Sequence, residues 1–381
     1  MIVNSLIVVK IKNKKVLEVV VRKIRIRLFL VTLALICLGL VMIYSASAMV
    51  AYEHFGDSMY YLKRHLLYIL VGIVFFVACL SVDYEKMRKY IKPFLLFSVL
   101  LLMAVFIPGI GHAAGGARRW IGIGHFSFQP SEIAKMAMVF YAADVLARKQ
   151  SDTDSFFHSF MPLILVLSLS VMLILLEPDL GTAVTLAALV IIIAFVAEVR
   201  LKYLLFVLLP GLIGSGFLIA LKPYRLKRII AFMNPWSDRH GAGFQIVQSL
   251  IAMGSGGMFG VGLGNSKQKL FYLPEAHTDF IYSIICEELG ILGSLGLLCL
   301  FVFFIWLGFK IAFLARNLFG RLLACGLVSM IALQVIINIG AVTGTIPPKG
   351  MPLPFISYGG TSLLYSMASV GLLLNISRHR R

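Results

Sequence analysis

Ten stretches, at 28–48, 65–82, 91–108, 131–147, 159–176, 180–198, 203–221, 280–309, 321–343 and 359–376, are each apolar and close to the length needed to cross the ~30 Å hydrocarbon core of a bilayer. That feature leaves few folds open. Backbone groups in lipid must be satisfied within the protein, and apolar runs without strict alternation do so as helices rather than as a barrel. The expected class is all-α: a polytopic membrane protein of about ten transmembrane helices, with one long extracytoplasmic loop between helices 7 and 8. Only 14% of the 381 residues are charged, against about a quarter in soluble domains, which excludes a soluble multidomain enzyme.

The formal charge of +18 would point to nucleic acid in a soluble protein, but here it is read loop by loop. Alternate connections and both termini hold 22 basic residues, while the opposite, longer connections hold 12. The positive-inside rule then places both termini in the cytoplasm and excludes a nucleic-acid partner. The chain divides into a basic segment at 1–27, a membrane domain at 28–376 and a basic tail at 377–381. Ala46-Ser47-Ala48 imitates a signal-peptide cleavage site, but removing the first span would put the basic C-terminus on the wrong side. All five cysteines lie in apolar runs without CxxC spacing, so neither disulfides nor zinc are indicated.

Two outer connections, 109–130 and 222–279, are too long to be simple turns. In the second, Tyr224, Leu226, Ile229, Ile230, Phe232 and Trp236 interleave with Lys222, Arg225, Lys227 and Arg228, a pattern suited to an amphipathic helix in the interface. Its glycine-rich part, 254–264, matches no nucleotide-binding motif.

Ionisable groups at membrane depth are the candidates for chemistry. Glu132 and Lys135 are three apart on one helix face and can pair. Glu177-Pro178-Asp179 joins two spans so tightly that it sits at the outer surface, either as a capping turn or as a functional one. Glu287 and Glu288 lie two turns inside span 8 and need a donor or a proton. Gln334 and Asn338, four apart in span 9, suit gluing helices together. Asp279 stands at the mouth of span 8, where position alone favours an N-cap and partial desolvation also suits a general base; His277 is placed to tune it. Arg118, Arg119, Lys267, Lys269 and Lys349 are outward cations able to meet phosphate. Together they suggest a lipid-linked phosphate or diphosphate substrate.

At Gly116 to Ile121, Phe128 to Glu132 with Lys135, Glu177 to Thr182, Tyr272 to Phe280, and Pro348 to Gly360 including Ser357, the chain resembles the SEDS family (shape, elongation, division and sporulation), from about residue 27 to the end. The resemblance implies a peptidoglycan glycosyltransferase that polymerises lipid II on the outer face of the bacterial cytoplasmic membrane. Its implied partners are the nascent glycan strand, a class B penicillin-binding protein and other divisome membrane proteins. Asp279 takes the place of the family's essential aspartate, as general base toward the acceptor's 4-hydroxyl. Arg118, Arg119, Lys349, His277, Lys269 and Ser357 are expected to bind substrate, and Glu132, Lys135, Glu177, Asp179 and Glu288 to shape the cavity. No tightly bound cofactor is expected; a divalent cation, Mg or Mn, at the diphosphate is an option. The lysine before Gly350 favours the division branch, at the septum, over the rod-elongation branch. Pro348 and Cys286 depart from the family's usual Thr and Gly. A lipid II flippase and a non-catalytic scaffold are the rival readings.

Overall fold

The computed structural model describes residues 14–114, 117–123, 126–148, 160–270 and 272–378. The beginning of the basic N-terminal segment, residue 159 of the fifth apolar stretch and residues 379–381 of the tail lie outside the described residues. The helices are α1 (Lys14–Phe55), α2 (Tyr60–Ser81), a single-turn α3 (Tyr84–Met87), α4 (Ile91–Ala104), α5 (Pro130–Arg148), α6 (Met161–Leu176), α7 (Leu180–Val196) and α8 (Leu201–Ala220). After them come α9 (Pro223–Met233), α10 (Phe244–Ser255), α11 (Ile281–Phe313), α12 (Leu318–Val342) and α13 (Gly360–Arg378). Each of the ten apolar stretches thus carries a helix, and the chain is a multi-pass membrane protein.

Among the described residues, six helices (α1, α2, α8, α11, α12 and α13) are long and apolar enough to span alone. The other four depend on their surroundings. α3 runs through a 3-10 turn into α4, giving a continuous helical run over 84–104 that is ~30 Å long. α5 buries Glu132, Lys135 and Asp144, which lowers its hydropathy while neighbouring helices shield the charges. α6 and α7, of 16 and 17 residues, pack as a pair around the 177–179 turn.

α12 runs through the middle and packs on α5, α7, α11 and α13. α13 lies closest to α2, and glycines permit the approach. A Cβ on Gly371 would stand 2.5 Å from the Phe76 carbonyl oxygen, and one on Gly72 2.4 Å from Met367 Sδ. A helix end leaves carbonyls without partners. Asn375 on α13 answers this for α2, donating to the carbonyls of Cys79, Leu80 and Val82 at 2.9, 3.0 and 2.6 Å. In contrast, α8 leans on α7 and α9, and only Leu204 of its residues is buried.

The outer loops differ from a helices-and-turns expectation. Three strands, β1 (Gly111–Ala114), β2 (Ala117–Ile123) and β3 (Phe126–Phe128), form a small antiparallel sheet in the order β1-β2-β3. The amphipathic helix expected after residue 222 is α9, with Pro223 in its first turn, where a missing N–H costs nothing.

The glycine-rich segment turns back alongside α11. That helix breaks at Gly290, whose φ of 67° and ψ of −168° suit glycine alone. The freed carbonyls of Glu287 and Glu288 accept from the N–H groups of Val261 and Gly262 at 3.0 and 3.1 Å. The freed N–H groups of Ile291 and Leu292 donate to the carbonyls of Gly257 and Met258 at 2.9 and 3.2 Å. Irregular backbone at this depth persists because a second irregular segment satisfies it. The outer loop is thereby tied to the helix that follows Asp279.

Candidate active site

Asp279 precedes α11 by two residues, yet it does not cap it. Phe280 occupies the N-cap without any side-chain hydrogen bond, so the capping role expected from position is not the one observed. Among the described residues no donor is hydrogen-bonded to the Asp279 carboxylate. Burial, with the nearby Glu275 charge adding to it, pushes its pKa up to about 7. Its backbone is nevertheless fixed: Asn338 Nδ2 donates both to the Asp279 carbonyl at 2.8 Å and to the Met351 carbonyl at 2.7 Å. Four residues earlier on α12, Gln334 Nε2 donates to the Pro352 carbonyl at 2.7 Å. The pair expected to glue helices therefore clamps the Asp279 segment against the 349–352 segment. A Cβ on Gly350 would stand 2.8 Å from Asp279 Oδ2, so a side chain there would crowd the carboxylate.

Next to Gly350, Lys349 lies across Gly181, where a Cβ would stand 2.1 Å from its Cε. Its ammonium donates to Thr185 Oγ1 at 3.1 Å. Burial lowers its pKa to about 7, against the opposing pull of Asp179. Asp179 caps α7, accepting from Thr182 N at 2.9 Å and Thr182 Oγ1 at 2.8 Å. Burial would raise its pKa, but Lys349, Arg119 and the Thr182 hydrogen bonds overcome that and hold it low. Glu177 beside it is pushed up to about 8, by burial first and by Asp179 second, despite Arg119, so it is mostly protonated at neutral pH.

Arg119 on β2 secures this turn, donating to the Glu177 and Pro178 carbonyls at 3.0 and 2.6 Å, with Asp179 Oδ2 at 3.9 Å. Glu132 and Lys135 pair at 2.7 Å, both buried, close enough to act electrostatically on Lys349. Lys349, Asp179, Arg119, Glu132 and Lys135, though drawn from separate stretches of sequence, thus form one charged group, linked to the Asp279 segment through Gly350.

Four expected substrate contacts are placed differently. Arg118, next to Arg119 where the β1–β2 register shifts, is exposed and makes no hydrogen bond or ion pair with the 177–179 turn among the described residues. Lys269 is buried, its ammonium 2.7 Å from Glu288 Oε1 and 3.2 Å from Ser45 Oγ, so it neutralises a buried carboxylate instead of facing the cavity. Ser45 Oγ also donates to Glu288, and Glu287 accepts from Lys267 N at 2.9 Å. Ser357 is buried and turned inward, its Oγ accepting from Leu353 N at 2.7 Å, which pins the 353–357 turn. His277 packs its ring 4.5 Å from Tyr61 and 5.8 Å from Tyr358. Burial lowers its pKa, with Glu275 opposing, which favours a neutral ring over an anion-binding cation. Sequence reasoning missed Thr185 and the aromatic wall of Phe55, Tyr60, Tyr61 and Tyr358; the Tyr60-Tyr61 pair in an outer connection was the available signal.

The family profile described as Cell cycle protein, FTSW_RODA_SPOVE, matches residues 26–381. Stage V sporulation protein E of Bacillus subtilis (strain 168) is 46% identical over 354 residues, covering 93% of this chain and 97% of that protein. A probable peptidoglycan glycosyltransferase FtsW of Geobacter metallireducens is 44% identical over 350 residues, covering 92% and 93%. Among solved structures, a chain from work on the structural coordination of polymerization and crosslinking by a peptidoglycan synthase complex superposes with a TM-score of 0.77 at 29% identity, covering 93% of this chain and 97% of that one. The rod shape determining protein RodA of Thermus thermophilus gives 0.70 at 27%, covering 93% and 96%. With these matches spanning nearly its whole length, the chain belongs to the FtsW/RodA/SpoVE family of cell cycle proteins, the SEDS family.

Proposed function

We propose that the chain is a peptidoglycan glycosyltransferase that polymerises lipid II on the outer face of the bacterial cytoplasmic membrane. The observation that carries this reading is Asp279: a carboxylate without a hydrogen-bonded partner among the described residues, with a pKa of about 7, linked through Gly350 to the partly buried Lys349. A base poised near ambient pH keeps about half its population ionised and still has driving force to take a proton.

In the proposed step, Asp279 accepts the proton of the acceptor's N-acetylglucosamine 4-hydroxyl as that oxygen attacks C1 of the donor's N-acetylmuramic acid. The C1–O bond to the diphosphate breaks with its electron pair on the leaving oxygen, and the configuration inverts. Lys349, with Arg119 behind it, supplies fixed positive charge where the undecaprenyl diphosphate becomes free. Glu132, Lys135, Glu177 and Asp179 hold these cations in place. Among the described residues no group of three or more His, Cys, Asp or Glu forms a metal site, so a divalent ion at Asp279 would find at most the further carboxylate of Glu275. The other ligands would come from the diphosphate and water, and such an ion would offset leaving-group charge.

α8, with only Leu204 buried and Pro210 inside it, is the loosely held helix beside which a lipid-linked substrate would enter from the membrane. The basic surplus on alternate connections supports cytoplasmic termini. The ends of α1 and α13 also lie together, since Arg25 and Arg378 are near enough to repel each other. The resemblance to the division branch supports a septal role, and the neighbour from work on polymerization and crosslinking by a peptidoglycan synthase complex supports a cross-linking partner, a class B penicillin-binding protein. The test is incubation of the purified protein and that partner with fluorescent lipid II. A ladder of glycan chains is expected; transfer of lipid II across proteoliposomes without polymer would favour a flippase.

A further inference from the structure

At the end of the bundle opposite Asp279, a cavity of about 960 Å³ opens between α1, α2, the connection after α11, and the end of α13. Arg22, Arg25, Arg316 and Arg378 line it against a single carboxylate, Glu18. Among the described residues no carboxylate forms an ion pair with any of these arginines. Arg25 Nε is buried there without a hydrogen-bond partner, and Arg25 and Arg378 repel each other. Gathering four like charges around a cavity is unfavourable unless an anion offsets them.

The rest of the lining has the opposite character. Ile26 and Phe29 on α1, with Phe76 and Leu80 on α2, continue the cavity toward the hydrocarbon, and Ile26 and Phe29 are 49% and 46% exposed. A basic end joined to an apolar wall at a helix terminus fits an amphiphile whose head is anionic. Glu18, Val21, Arg22 and Arg25 also precede residue 26, where the family profile begins, so one wall lies outside the residues it matches.

We propose that this cavity binds an anionic phospholipid of the cytoplasmic leaflet, its phosphate among Arg22, Arg25, Arg316 and Arg378 and an acyl chain along Ile26, Phe29 and Phe76. The site is separate from the Asp279 group and stands whether or not the chain polymerises lipid II. Its effect is to hold the cytoplasmic ends of α1 and α13 together by offsetting their mutual repulsion.

The test is native mass spectrometry of the full chain, purified in lipid-free detergent and titrated with phosphatidylglycerol, phosphatidylcholine or inorganic phosphate. A tight phosphatidylglycerol adduct is expected, with phosphatidylcholine weaker and inorganic phosphate unable to displace it. Arg22→Gln/Arg25→Gln/Arg378→Gln is expected to weaken it on the order of 100-fold, from the usual gain per arginine at an anionic surface. Arg22→Gln alone, at the exposed rim where folding is not at risk, is expected to weaken it roughly fivefold. Lys227→Gln/Arg228→Gln, on the outer helix α9, is expected to leave the tight adduct intact. Undiminished binding by both cavity variants, or loss only in the α9 variant, would overturn the proposal; displacement by inorganic phosphate would show a site for free anions instead.

Discussion

Asp279 and Lys349, both brought to a pKa of about 7 by burial, need opposite protonation states for the proposed step. The base works ionised, so its competent fraction is about one tenth at pH 6 and about nine tenths at pH 8. The lysine works protonated, so its fractions are reversed. Their product peaks near pH 7, falls about threefold one unit to either side, and falls about tenfold per unit beyond that. Replacing Glu275 with Gln removes the lesser cause of the raised Asp279 pKa while burial remains. The acid limb should move to lower pH by a fraction of a unit, with the alkaline limb unmoved. Asp179→Asn removes a charge that favours protonated Lys349 but keeps an oxygen to cap α7. The alkaline limb should then move to lower pH. The assay is the initial rate of lipid II polymerisation from pH 5.5 to 8.5 at constant ionic strength. A rate flat from pH 6 to 8, or Glu275→Gln moving only the alkaline limb, would refute the assignment.

Other consequences follow from close contacts. Gly181→Ala would place a Cβ 2.1 Å from Lys349 Cε, the flexible end of a side chain, so the ammonium moves rather than the backbone. Stability should change by less than about 1 kcal/mol while polymerisation falls on the order of 100-fold, the cost of ångström-scale misplacement; a large loss of melting temperature would show the backbone yielding instead. Lys269→Met strands the Glu288 carboxylate, 0% exposed, and should cost about 3–5 kcal/mol. Lys269→Met/Glu288→Gln should recover most of it in a thermal double-mutant cycle, and simple additivity would deny the pair. Gly290→Ala meets a φ of 67° and the Gly260 backbone nitrogen 2.4 Å from the new Cβ, so a loss of about 3 kcal/mol or more is expected. Wild-type melting behaviour would mean that α11 is not broken there.

Helices were legible because the bilayer imposes one length and one polarity on every crossing, and all ten apolar stretches carry one. What joins distant stretches was not. Lys349 and Lys269 look alike in sequence, each a lysine in an outer connection, and only the fold reveals that Glu288 pairs with one and Gly181 underlies the other. Asp279 preceding a helix suggested a cap; the extra residue before α11 leaves its carboxylate free of the helix N–H groups. The break at Gly290 lies two residues after Glu288 within one long apolar stretch, where a single glycine gives little sign of it. Its trace was the glycine-rich 254–264 segment, whose backbone needed a partner that no motif identified. The sheet at 111–128 was obscured by short strands separated by glycine.

The most direct measurement is polymerisation of labelled lipid II by wild type and Asp279→Asn, each with the cognate class B penicillin-binding protein made transpeptidase-dead and free of other glycosyltransferases. Asn keeps the shape and removes the base. Glycan chains from wild type and none from Asp279→Asn, with partner and lipid II binding retained, are the expected result; chains of normal length and rate from Asp279→Asn would contradict the assignment of Asp279 as the base.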